Sequence, residues 1–144
     1  MNLNAANAHS NTLAYAGAAA GATAVNSSWI DLKTLDAHGV AFLVALGAIV
    51  STGTVTLKLQ YSSDGSASAG DVAGSSFAIA DTGGSLVYSI GIDRPTYRYV
   101  RVVMTRAVAN STILSVIAVT NLEGVRPQNV GTSLVLSSPA IGTA

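Results

Sequence analysis

A chain of 144 residues with no cysteine, seven acidic and seven basic side chains must fold by packing alone, which excludes disulfides, thiolate metal sites and a cysteine nucleophile. One domain of this length buries about 68–70% of its unfolded surface, yet only 10% of the residues are charged, against roughly 25% in ordinary soluble domains. With 49% apolar residues and zero net charge, such a surface predicts coverage by neighbouring subunits and argues against strong attraction to nucleic acid.

Composition divides the chain into an uncharged N-terminal arm (1–24), a β-rich core (25–121) and an extended C-terminal arm (122–144). The first charged residue is Asp31, so the Ala-rich start lacks the positive n-region of a secretory signal and reads as part of the mature protein. The first predicted strand covers 25–32 and carries Trp29, for which core packing is expected.

The apolar run 40–50 is eleven residues long, short of the roughly 20 that a membrane-spanning helix needs, so no membrane segment is expected. Being apolar on both faces, 40–49 predicts a central strand covered on two sides; a short buried helix shares that periodicity, but β-branched and aromatic content with Gly39 and Ser51-Thr52-Gly53 as punctuation favours the strand. The next segment, 54–61, alternates strictly, with Val55, Leu57, Leu59 and Tyr61 on one face and Thr54, Thr56, Lys58 and Gln60 on the other. Further strands are expected at 76–80, 85–92, 97–105 and 112–120, separated by turn chemistry at Asp64-Gly65, Asp81-Thr82-Gly83-Gly84, Asp93-Arg94-Pro95 and Asn110-Ser111. The pattern predicts an all-β, antiparallel β-sandwich or jelly-roll-like fold. Beyond it nothing after Arg126 is charged, and Leu134, Val135 and Leu136 with Ala140-Ile141 make the tail apolar, as a segment built to dock would be.

No residue set carries catalysis, a cofactor or a metal. His9 and His38 are separated by 28 intervening residues in no metal spacing, and His38 reads as a turn residue. Asp64, Asp71, Asp81 and Asp93 sit in or beside Gly, Ser or Pro turns, where an aspartate bonds its own backbone. Residues 64–71 lack the pattern of a calcium loop and read as an exposed loop tip, Ser62 and Ser63 lack a nucleophile-elbow setting, and no glycine cluster cradles phosphate.

Basic residues are unevenly placed, since Arg94, Arg98, Arg101 and Arg106, four of the seven, fall within thirteen positions beside Tyr97 and Tyr99. On a strand Arg98 and Arg101 point to opposite faces, so the four form no single nucleic-acid stripe. Two readings remain open: stems covering apolar surface, or contacts to acidic loops of an adjacent subunit. On the second, Arg94, Arg98, Arg101 and Arg106 are candidate interface residues together with Leu134, Val135 and Leu136 of the tail.

As a set, the strand running into Gln60-Tyr61-Ser62-Ser63-Asp64-Gly65, the Ser/Gly/Ala loop to Phe77, the strand Tyr97-Arg98-Tyr99-Val100-Arg101-Val102-Val103 and the closing Leu114-Ser115-Val116-Ile117-Ala118-Val119 resemble decoration or cement proteins of tailed-bacteriophage capsids. The resemblance covers about half the chain, and tail proteins, head fibres and carbohydrate-binding modules share such patterns. It implies no catalytic residues or cofactors. What it implies is a virion protein on the outer capsid surface, bound to the major capsid protein and homo-oligomeric, with trimers favoured.

Overall fold

The computed structural model describes residues 9–122 except 36, 67, 68 and 94, and there the chain is all-β, with no α-helix. Chain order gives β1 (His9–Tyr15), β2 (Ala18–Gly21), β3 (Val25–Asn26), β4 (Ile30–Asp31), β5 (Ala37–Ile49) and β6 (Thr54–Ser62). After these come β7 (Ala69–Asp71), β8 (Phe77–Ala80), a single 3-10 turn (Asp81–Gly83), β9 (Val87–Asp93), β10 (Tyr99–Ala107) and β11 (Ser111–Leu122).

Two antiparallel sheets pack face to face as the expected β-sandwich. In sheet A, β1 and β2 lie end to end along β11, followed by β5 and β9. Sheet B has β3 and β4 along β10, then β6, with β7 and β8 along its far side. Phe42, Val44, Leu46, Ile113 and Val116 from sheet A meet Val55, Leu57, Leu59, Val100, Val102 and Met104 from sheet B, all essentially inaccessible. Each such side chain contributes roughly 1.5–3 kcal/mol by leaving water, which accounts for folding without a staple.

Several sequence expectations change, among them that of Trp29, which is half-buried outside the core and not packed within it. Residues 9–21 of the supposed N-terminal arm are strands of sheet A, bonded to β11 because their N–H and C=O groups complete its open side. His38 is the second residue of β5, not a turn residue. The strand expected at 25–32 breaks in two, since Ser27 leaves the ladder to bond Val102 and Ser28 donates to the Ala14 carbonyl. The C-terminal arm beyond Leu122, including Leu134, Val135 and Leu136, lies outside the described residues, as does Arg94.

Candidate functional site

The outward side chains of the two sheets differ in chemistry. Sheet B carries a polar ladder that crosses the strands at one level, because Arg101 of β10 pairs with Gln60 of β6 and Gln60 with Asp71 of β7. The Arg101 guanidinium lies 4.3 Å from the Trp29 ring centroid and donates to Gln60 Oε1 from Nη2 at 2.8 Å. Gln60 Nε2 donates to Asp71 Oδ1 at 2.8 Å, and Lys58 Nζ to Asp71 Oδ2 at 2.8 Å. Lys58 and Gln60 hold the Asp71 carboxyl below its ordinary value, whereas burial lowers that of Arg101.

Arg98, just before β10, forks onto Asp31 through Nε–Oδ1 (3.0 Å) and Nη2–Oδ2 (2.8 Å). Asp31 also accepts from Thr34 Oγ1 at 2.7 Å and from the Lys33 amide at 3.1 Å. The Arg98 bonds, helped by those of Thr34, hold Asp31 well below the usual carboxylate range, although burial opposes them more strongly than any single Thr34 bond helps.

Arg106 departs from the exposed cluster expected of the arginines. It is 5% exposed and donates to the carbonyls of Thr23 (2.8 Å), Ala19 (2.7 Å) and Ser111 (2.9 Å). It ties β2 and the turn after it to β10 and β11, and its burial removes it from any surface. Of the expected interface arginines, the structure therefore leaves Arg98 exposed and Arg101 half-buried on the polar side, each already bonded within the chain.

The turn reading of the aspartates holds for Asp64, which accepts from the Ser66 amide at 2.9 Å and from Ser62 Oγ at 2.7 Å. Asp81 accepts from the Thr52 amide at 2.9 Å. Asp71, in contrast, belongs to a strand. Among the described residues no three His, Asp or Glu side chains gather as a metal set.

Sheet A presents the opposite chemistry. Cross-strand pairing aligns Leu13 of β1, Ile117 of β11, Leu43 of β5 and Ser89 of β9 in one outward row. A second row runs Asn11, Val119, Ala41, Gly91, and a third Ser115, Ala45, Val87. Leu13 is 62% exposed and Val87 66%, with Leu43, Leu114 and Ile117 also open to solvent. None of these positions carries a charge; the first carboxylate is Asp93 at the rim. Gly39, Ala41, Gly91 and Val119 line a shallow trough of about 390 Å³ within this face. Gly39 and Gly91 have no room for a side chain, since a Cβ there would meet the carbonyls of Ile92 and Val40 at 2.7 Å.

Sequence reasoning found β5, β9 and β11 but not the face they form with β1, whose Ser, Asn and Ala residues carry no strand signal. The arrangement suits docking of a broad, uncharged partner surface. No protein-family model matches the chain, and a search of curated proteins finds no match.

Proposed function

We propose that this chain is a non-enzymatic structural protein of a virion, a cement or decoration protein that seats the outer face of sheet A on the major capsid protein and stabilises the shell. One observation carries the reading. The β5 sequence is apolar on both faces, the composition of a strand covered twice, yet on its outward face Leu43 is exposed and Ala41 and Ala45 are only half-buried, with no described element packed over them. The second cover is another molecule. A shell offers many identical sites, so weak copies of one broad contact act together through avidity. The resemblance of residues 53–120 to capsid-surface proteins names the partner class.

A glycan-binding or head-fibre role is the rival, and it needs a free aromatic platform. Trp29 gives it little support, because Arg101 occupies a face of its ring. Quantitative mass spectrometry of purified particles from the native source tests the proposal. A copy number approaching that of the shell protein is expected; a handful of copies points to a fibre or tail component, and absence from particles overturns the virion reading.

A further inference from the structure

An exposed sheet edge carries a row of unpaired N–H and C=O groups and templates another strand unless it is shortened, bulged or covered. Three of the four edges of this sandwich are treated in that way. The edge along β10 consists of β3 and β4, two residues each, and the edge along β6 of β7 and β8, three and four residues. Along β11 the edge is β1 and β2, with a register shift between Leu13 and Tyr15 and the Ala14 carbonyl already taken by the Ser28 amide.

The fourth edge, β9, is untreated. Seven consecutive residues, Val87–Asp93, pair with β5 without any register shift, and none of them is proline. The Leu46 amide donates to the Leu86 carbonyl at 2.9 Å, and the carbonyls of Val40 and Ile92 lie in the seam between the two strands. Antiparallel alternation then turns the N–H and C=O groups of Tyr88, Ile90 and Ile92 toward β5, and those of Val87, Ser89, Gly91 and Asp93 toward the free edge. Among the described residues no strand pairs with these edge-facing groups.

We infer that β9 pairs with β9 of a second copy, antiparallel about a two-fold axis at Ile90, so that two A sheets join into one. An open edge needs a partner edge that is also open. Among the described residues β9 is the only long, unshifted strand with a free side, so the element that matches it is itself. The strand is also self-complementary. The axis sets Val87 against the partner's Asp93 and Ser89 against the partner's Gly91, and these are the hydrogen-bonded positions, so every edge-facing N–H and C=O finds a mate. At the closer positions between them, Ile90 meets the partner's Ile90 and Tyr88 meets the partner's Ile92, apolar pairs of the kind that stabilise a ladder.

Charge permits this register. Asp93 is the only charged residue of the strand, and the axis places its two copies at opposite ends of the seam, about 20 Å apart at about 3.4 Å per residue. Neither faces a like charge. Ser89 and Gly91 keep the outward side of the seam free of bulk. Beneath the edge Phe77 of β8 is 37% exposed and stands against Tyr88, ring centroids 6.3 Å apart, so an apolar side chain lies beside the seam. The pairing stands apart from function; its use on a shell rests on the capsid-surface reading, where two joined A faces dock as one bivalent unit.

Disulfide trapping tests the register, since the chain has no cysteine of its own. Val87 and Asp93 are both exposed, so Val87→Cys and Asp93→Cys chains are prepared separately, then oxidised alone and mixed. A linked dimer is expected in the mixture and in neither chain alone. The two-fold brings position 87 to about 5.5 Å from the partner's position 93 and leaves like positions about 20 Å apart, beyond the roughly 7 Å that a disulfide spans. Sedimentation of the native chain should show its mass doubling as concentration rises. Ser89→Pro replaces an N–H that β5 does not use and should remain a folded monomer; where that variant fails to fold, the trapping still decides. A native chain that stays monomeric overturns the inference, and protected β9 amides in that monomer would give the edge to the chain itself. So does a dimer that persists in folded Ser89→Pro, or trapping of either chain with itself equal to that of the mixture. Attachment to particles is scored separately: a monomer that binds them keeps the proposed function and loses this inference, and a dimer that binds none does the reverse.

Discussion

Arg101 lies over Trp29, its guanidinium carbon 4.3 Å from the ring centroid, while the same group donates two bonds to Gln60. Trp29 is the only tryptophan of the chain, so tryptophan fluorescence reports the surroundings of this ring. Arg101→Ala is expected to shift the emission to longer wavelength by admitting water to the ring. The loss in urea unfolding should be about 1 kcal/mol, from the cation–π contact and the bonds to Gln60 together. Arg101→Lys recovers only part of it, because an ammonium cannot fork onto Gln60 and stack at once. Unchanged emission in Arg101→Ala would show that the ring is shielded by something else.

The Arg98–Asp31 pair predicts a pH dependence of defined sign. The Asp31 carboxyl is depressed in the folded chain, chiefly by its bonds from Arg98, against about 3.9 when unfolded. The folded state therefore gains stability above that unfolded value and loses it as pH falls toward the folded one. Native protein should exceed Asp31→Asn by about 1 kcal/mol at neutral pH, the upper range for a solvent-accessible pair. The gap should close progressively below about pH 4. Paired denaturation curves across pH 2–7 check this, and a gap independent of pH would assign the effect to the Thr34 turn bonds.

Much of this architecture is legible in residue order because it depends on period. The alternation from Thr54 to Tyr61 reappears as β6, with Val55, Leu57 and Leu59 buried. The apolar stretch through Phe42 and Val44 forms β5 at the centre of its sheet. Ala69–Asp71 had no strand signal, and pairs because Gln60, Tyr61 and Ser62 offer it a ladder. Arg106 was unreadable for a related reason. Its acceptors, the carbonyls of Ala19, Thr23 and Ser111, are backbone atoms that any residue would supply. Only the fold brings them together.

Those acceptors make Arg106 a strong point of failure. Arg106→Ala leaves the buried Ser111 carbonyl and the part-buried bonds to Ala19 and Thr23 without their donor, and a loss of about 3 kcal/mol is expected. Arg106→Lys should fall well short of rescue, since one ammonium cannot span acceptors placed for a planar fork. Hydrogen exchange distinguishes this anchoring from a general loss of packing. In either variant, amides of Ala18–Gly21 should open before those of β5 or β10, because Arg106 is the side chain that bonds the Ala19 carbonyl. Uniform acceleration across the sandwich would mean that β2 is not the element it holds.

The apolar face yields the prediction that bears most directly on role. Leu43 and Ile117 are paired neighbours near the centre of the outward rows and partly open to water, so glutamates there can hold their carboxylates in solvent in the free chain. Leu43→Glu with Ile117→Glu should leave thermal unfolding within a few degrees, consistent with a change of about 1 kcal/mol or less. Attachment to particles should nonetheless be lost, because docking would now bury two unpaired carboxylates. Lys58→Ala, on the polar face of sheet B, is the matched control and should attach as the native chain does. If the glutamate variant binds normally while Lys58→Ala does not, the ladder through Arg101, Gln60 and Asp71 is the docking surface, and the bare face of sheet A belongs to a different contact.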